Sequence, residues 1–75
     1  MLLPTKYILL KDSLLMAGRT ILVLLNSPQT VTKLWLKARK QSSIDTFDRF
    51  SLTLDFLFAL DLIAFQNGLV IRRKA

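Results

Sequence analysis

Asp45 and Asp48, three residues apart in "IDTFDRF", are the closest-spaced carboxylates in the chain. A carboxylate pair can work as general acid and base when the environment separates the two affinities for a proton. The same spacing also suits the start of a helix, where one residue caps free N–H groups and the helix dipole favours an acid. That structural explanation is preferred, because nothing around the pair completes a site. The chain has no His, no Cys and no Glu, and its other acids are Asp12, Asp55 and Asp61. The usual general bases, metal ligands and thiol nucleophiles are therefore missing. Gly18 and Gly68 are the only glycines, too few for a loop that cradles phosphate. No enzymatic activity, metal or cofactor is expected.

Positive charge is the other chemistry on offer. Eleven basic and five acidic residues give a formal charge of +6, which favours a polyanion or an acidic partner surface. Seven of the eleven basic residues fall in two groups, Lys33, Lys37, Arg39 and Lys40 in mid-chain, and Arg72, Arg73 and Lys74 near the end. Contact with a nucleic-acid backbone needs only positive charge, so these seven are the candidates for sequence-independent DNA contact, within a complex. A solvated face explains them equally well.

Hydrophobic residues make up 52% of only 75 positions. A chain this short buries a small share of its surface and is marginal without a staple. A membrane does not account for the excess, because a span needs about 20 mostly apolar residues in a row. Arg19 interrupts Leu14–Leu25, and Asp55 and Asp61 interrupt Leu52–Phe65. The opening "MLLPTKYILLKDSLLMAG" does not read as a secretory signal either, with Pro4 and Lys6 early and Lys11-Asp12 inside the apolar stretch. A cytoplasmic protein is expected, and the lack of Cys fits that compartment.

The elements that would position these residues can be read from local pattern. Residues 1–11 read as an extended arm, since Pro4 pushes Leu3 away from helical geometry. A first helix is expected after Asp12 or Ser13, with a stripe of Leu14, Ala17, Gly18, Ile21 and Leu25, stopping at Asn26-Ser27-Pro28. Leu15 and Leu22 lie beside that stripe, and Met16 and Val23 roughly opposite. A second helix should begin at an N-cap Thr30 and bury Val31, Leu34, Trp35 and Ala38. A third should run from about Thr46 to Asp61, capped by Asp45 or Thr46, with Phe47, Phe50, Leu54, Leu57 and Phe58 on its inner side. Leu52, Phe56, Ala59 and Leu60 gather on the far side of that helix.

The last segment, "LIAFQNGLVIRRKA", carries an Asn67-Gly68 pair between short apolar runs. Both central positions of a type I′ turn need φ > 0, which Asn and Gly tolerate, so a hairpin is predicted. Pairing Gln66 with Leu69 sets Phe65 opposite Val70, Ala64 opposite Ile71 and Ile63 opposite Arg72. One face then shows Ile63, Phe65 and Val70, the other Ala64, Leu69 and Ile71. Three helices followed by a hairpin is the order of a winged-helix domain. The fold expected is mainly α with a C-terminal β-hairpin, a single winged-helix-like domain over 1–75 with the arm at its start. The rival is a plain three-helix bundle with a frayed tail.

A winged helix suggests DNA, usually with the helix before the wing in the major groove. Here that helix would carry Asp48, Asp55 and Asp61, with Asp45 at its start, against a single Arg49. Carboxylates against phosphates repel, so the usual docking is not expected. The sharper signal is apolar surface. The first helix, the third helix and the hairpin each show a second apolar face, and contiguous exposed patches mark interaction sites. Leu15, Leu22, Val23, Leu52, Phe56, Ala59, Leu60, Leu69 and Ile71 are the candidate partner-binding residues, with self-association into a homo-oligomer left open.

Taken in order, "MLLPTK", "SLLMAGRTILVLLNSPQTVTKLW" and "TFDRFSLTLDFLFALDLI" resemble the small middle components of bacterial ABC-three-component systems. The resemblance covers nearly the whole chain and rests on apolar and cap positions. It implies an adaptor subunit beside an ATPase similar to the RecN/SMC class and a third, larger component, in defence against phage or other foreign DNA. It implies no catalytic residues. Two other classes compete with this reading. A free-standing dimeric winged-helix regulator is opposed by the acidic third helix, and a small toxin or membrane-active peptide by the absence of a span.

Overall fold

A computed structural model describes residues 4–73 of the chain. Its elements are α1 (Pro4–Leu24), α2 (Val31–Ala38), α3 (Phe47–Ala59), β1 (Ile63–Gln66) and β2 (Leu69–Arg72). The order is three helices and then an antiparallel two-stranded hairpin, as in a winged-helix domain.

The arm expected over 1–11 is corrected at this point. The backbone is helical from Pro4 through Leu24, a single helix of 21 residues; residues 1–3 lie outside the described residues. Proline breaks helices only in the interior. In the first turn its missing N–H costs nothing and its fixed φ suits the helix. Pro4 is therefore a start signal, and Lys6, Leu9, Leu10 and Lys11 behind it are good helix formers.

The two shorter helices begin where local chemistry puts them. The Thr30 hydroxyl accepts from the Lys33 N–H at 3.1 Å, and the Thr46 hydroxyl accepts from the Arg49 N–H at 3.1 Å. Each side chain satisfies one of the N–H groups that a helix leaves free at its start. The far end of α3 closes with an Asp. Asp61 has φ 61°, its N–H donates to the Phe58 carbonyl at 3.0 Å, and the Leu62 N–H donates to the Leu57 carbonyl at 3.0 Å. These are the paired bonds of a Schellman ending, with Asp61 in the left-handed place that glycine usually takes.

The hairpin register is Gln66 with Leu69, Phe65 with Val70, Ala64 with Ile71 and Ile63 with Arg72, as expected. Asn67 and Gly68 both have positive φ, 55° and 78°. A third chain segment joins this sheet. Gln29, between α1 and α2, forms a bridge to Val70, with the Gln29 N–H donating to Val70 at 3.1 Å and the Val70 N–H donating back at 2.7 Å. Those two bonds tie the wing to the helices.

The core lies where α1, α2, α3 and the inner hairpin face meet. Ala17, Ile21, Leu25, Leu34, Ala38, Phe50, Leu57, Ile63 and Val70 are buried, and Ile44 from the α2–α3 loop plugs the same space. The inner side of α3 differs from the expected stripe. Phe47 is 53% exposed and Phe58 37%, while Thr53 is fully buried. The Thr53 hydroxyl donates to the Arg49 carbonyl at 2.6 Å, which lets a polar side chain sit inside without an unmet bond. Phe47 instead stacks edge-on against Trp35 at 5.3 Å, so two half-covered rings shelter each other.

Candidate partner interface

Gly18 lies where α1 and α3 approach closely. A Cβ placed on it would lie 3.1 Å from Leu57 Cδ2 and 3.9 Å from Phe56 Cδ2. With only hydrogen there, α3 settles against α1, and the walls on either side form a shallow groove. Leu15, Gly18, Arg19 and Leu22 of α1 line it together with Phe56, Leu57 and Leu60 of α3 and Leu62 beyond, around a volume of about 180 Å³.

Four of the expected partner-binding residues therefore converge. Leu15 and Leu22 face Phe56 and Leu60 across this groove. Leu15 is 49% and Leu60 50% exposed, while Leu22 and Phe56 are partly buried and pack on the core. The expectation that Phe56 stands clear of the core is corrected: its ring is half-buried and packs against the core. The ring is a wall of the groove anchored in the fold.

The other candidates are distributed. Val23 belongs to a second hollow of about 400 Å³ on the opposite flank of α1, with Met16, Arg19, Thr20, Leu24 and Gln41. Leu52 lines a third, near the start of α3, with Leu14, Thr46, Asp48 and Arg49. Ala59 is exposed, and Leu69 and Ile71 are half-buried on the outer face of the hairpin.

Six of the seven basic candidates lie among the described residues. Lys33 and Lys37 lie on α2, with Arg39 and Lys40 just past it, all exposed except the half-buried Lys37. Arg72 is exposed at the end of β2, and Lys74 lies outside the described residues. Arg73 is already engaged, its Nε 3.3 Å from Asp61 Oδ1. On α3, Arg49 turns back and donates from its guanidinium to the Ser13 hydroxyl of α1. The one cation of α3 thus serves the fold, while Asp48 and Asp55 face outward. Asp45 and Asp48 are both exposed. Among the described residues no three His, Cys, Asp or Glu side chains gather where a metal could be held. Among the same residues no helix is long and apolar enough to cross a membrane.

Sequence reasoning missed three residues that matter here. Gly18 had a signal, since an isolated glycine inside a helix usually has a packing reason. Arg19 had one too, as the only cation amid the apolar run of α1. Gln29 had none, because its role depends on where the hairpin comes to rest.

A family model for ABC-three component (ABC-3C) system Middle Component 6 matches residues 3–74. The chain belongs to this family. A middle component is one part of a multi-component system, so protein partners are implied. An apolar groove on a small middle component is accordingly where an interface would be sought. No curated protein and no solved structure matches the chain.

Proposed function

We propose that this middle component is a non-enzymatic adaptor subunit. It bridges or positions an ATPase of the RecN/SMC-like ABC class and the third, larger component of the same system, in the cytoplasm, in defence against phage or other foreign DNA. The observation that carries the reading is the groove between α1 and α3. Leu15, Leu22, Phe56 and Leu60 converge there on a chain of 75 residues, and covering such a face in a complex stabilises both the fold and the assembly. The positive balance of charge suits an acidic partner surface or the backbone of DNA held by the complex.

The test is co-expression of the chain with its neighbouring genes, with the tag on a neighbour. Recovery of all three components in fixed ratio is the expected result. Recovery of the neighbours without this chain, under conditions where the chain is folded, overturns the reading. The winged-helix order favours a second reading, a free-standing DNA-binding regulator, against which stand the outward Asp48 and Asp55 and the inward turn of Arg49. Gel-shift binding by the chain alone, at physiological salt and with sequence preference, would select that reading.

A further inference from the structure

Arg19 occupies an unusual position on α1. It lines the groove shared with α3 and also the hollow on the other flank of the helix, and it is exposed. Leu15 and Leu22 stand on one side of it, Met16 and Val23 on the other. Met16 and Val23 are each 68% exposed. The cation thus sits in the middle of an apolar surface. Among the described residues no carboxylate lines either hollow, and the ion pair formed is Asp61 with Arg73, elsewhere.

We infer that this surface receives an amphipathic helix of another subunit, whose apolar face carries one carboxylate that pairs with Arg19. The inference rests on the adaptor reading and names the chemistry of its partner. A helix fits because Leu15, Arg19 and Leu22 are spaced i, i+4 and i+7, and Met16, Arg19 and Val23 i, i+3 and i+7. A ridge of this kind, with a hollow on each flank, is what ridges-into-grooves packing uses. A carboxylate is required because covering the patch removes Arg19 from water, and a desolvated cation is tolerated only when paired. The planar guanidinium can hold both carboxylate oxygens at once, which fixes the register of the incoming helix. Charge decides against a second copy of this chain as occupant. Two chains of +6 each repel, whereas an acidic helix is attracted.

The experiment uses the co-expressed complex, with the tag on a neighbour. Arg19→Glu is expected to lower the affinity for the neighbours by more than about thirtyfold, since a carboxylate would then face a carboxylate. Arg19→Gln, which keeps the helix propensity and removes the charge, should give a smaller loss. Both variants should melt with the parent chain, because the side chain is exposed. Reversing one Asp or Glu to Arg on the incoming helix of the neighbour should restore binding of Arg19→Glu. The inference is overturned if the wild-type chain is recovered with its neighbours and Arg19→Glu is recovered equally well, an outcome that leaves the adaptor reading standing. It is also overturned if the isolated chain sediments as a dimer that Arg19→Glu splits, for then a second copy covers the face. Absence of the wild-type chain from the complex refutes the adaptor reading itself and this inference with it.

Discussion

Gln29 and Val70, forty-one positions apart in sequence, exchange both of their backbone hydrogen bonds, at 3.1 and 2.7 Å. The Gln29 side chain also donates from Nε2 to the Leu24 carbonyl at 2.9 Å, satisfying one of the acceptors that α1 leaves free at its end. One residue thus closes a helix and anchors the wing. It does so while 2% exposed, with its Oε1 meeting no donor among the described residues.

Truncating it should be costly. Gln29→Ala removes the bond to Leu24 and opens a cavity, for a loss of about 2 to 3 kcal/mol. Gln29→Met keeps the volume and removes the unmet oxygen, so the loss should fall to about 1 kcal/mol. Urea denaturation of the two variants beside the parent measures both. Equal losses would show that the amide, rather than the packing, dominates.

Gly68 tests the turn. Nothing lies within 4 Å of a Cβ built there, yet its φ is +78°, so any penalty comes from the backbone alone. Gly68→Val should destabilise the chain by about 2 kcal/mol, because a β-branched residue is strained at positive φ. Gly68→Asn should cost less than half as much, since Asn visits that region readily. Thermal melts followed by circular dichroism decide, and identical melts for all three chains would refute the type I′ turn.

Gly18 tests the floor of the groove. Gly18→Ala sets two effects against each other, about 1 kcal/mol gained from helix propensity and a contact at 3.1 Å with the movable end of Leu57. Near-neutral stability is expected. Gly18→Leu cannot be absorbed that way and should cost about 2 kcal/mol or more by pushing α3 off α1. Chemical denaturation checks the sign of each, and a fully stable Gly18→Leu would mean that the helices do not meet as described.

The basic end of the chain tests nucleic-acid contact. Replacing Arg72 and Arg73 by Glu should weaken any DNA binding by the assembled complex about equally for all sequences, with a shallower dependence on salt. The Arg73 pair with Asp61 is exposed on both sides, so its loss should change stability by less than about 1 kcal/mol. Fluorescence anisotropy across a salt series measures the slope. A loss confined to one DNA sequence would point to base readout instead.

The features legible in the amino-acid order were those that depend on a few adjacent residues. Asn67-Gly68 imposes a two-residue turn, and the turn sets the register of both strands. Thr30 and Thr46 start helices because a hydroxyl three residues before an N–H can reach it. The spacing of Leu34 and Ala38, or of Phe50, Leu54 and Leu57, marks an inner face by geometry alone. Pro4 was ambiguous at this level, since the same ring breaks a helix from within and begins one at its end. The tertiary structure decided what lies between the elements. Gly18 lies against the Leu57 side chain where α1 meets α3, and the two helices together wall the groove that Phe56 lines. Thr53 is buried in preference to Phe47 and Phe58 because the approach of α1 and α2 selects one side of α3, and a hydroxyl can be satisfied there by its own helix. The Gln29–Val70 bridge exists only once the hairpin has folded back. A turn or a cap is closed by bonds within four residues, whereas a helix contact is chosen among competing faces by the whole core at once.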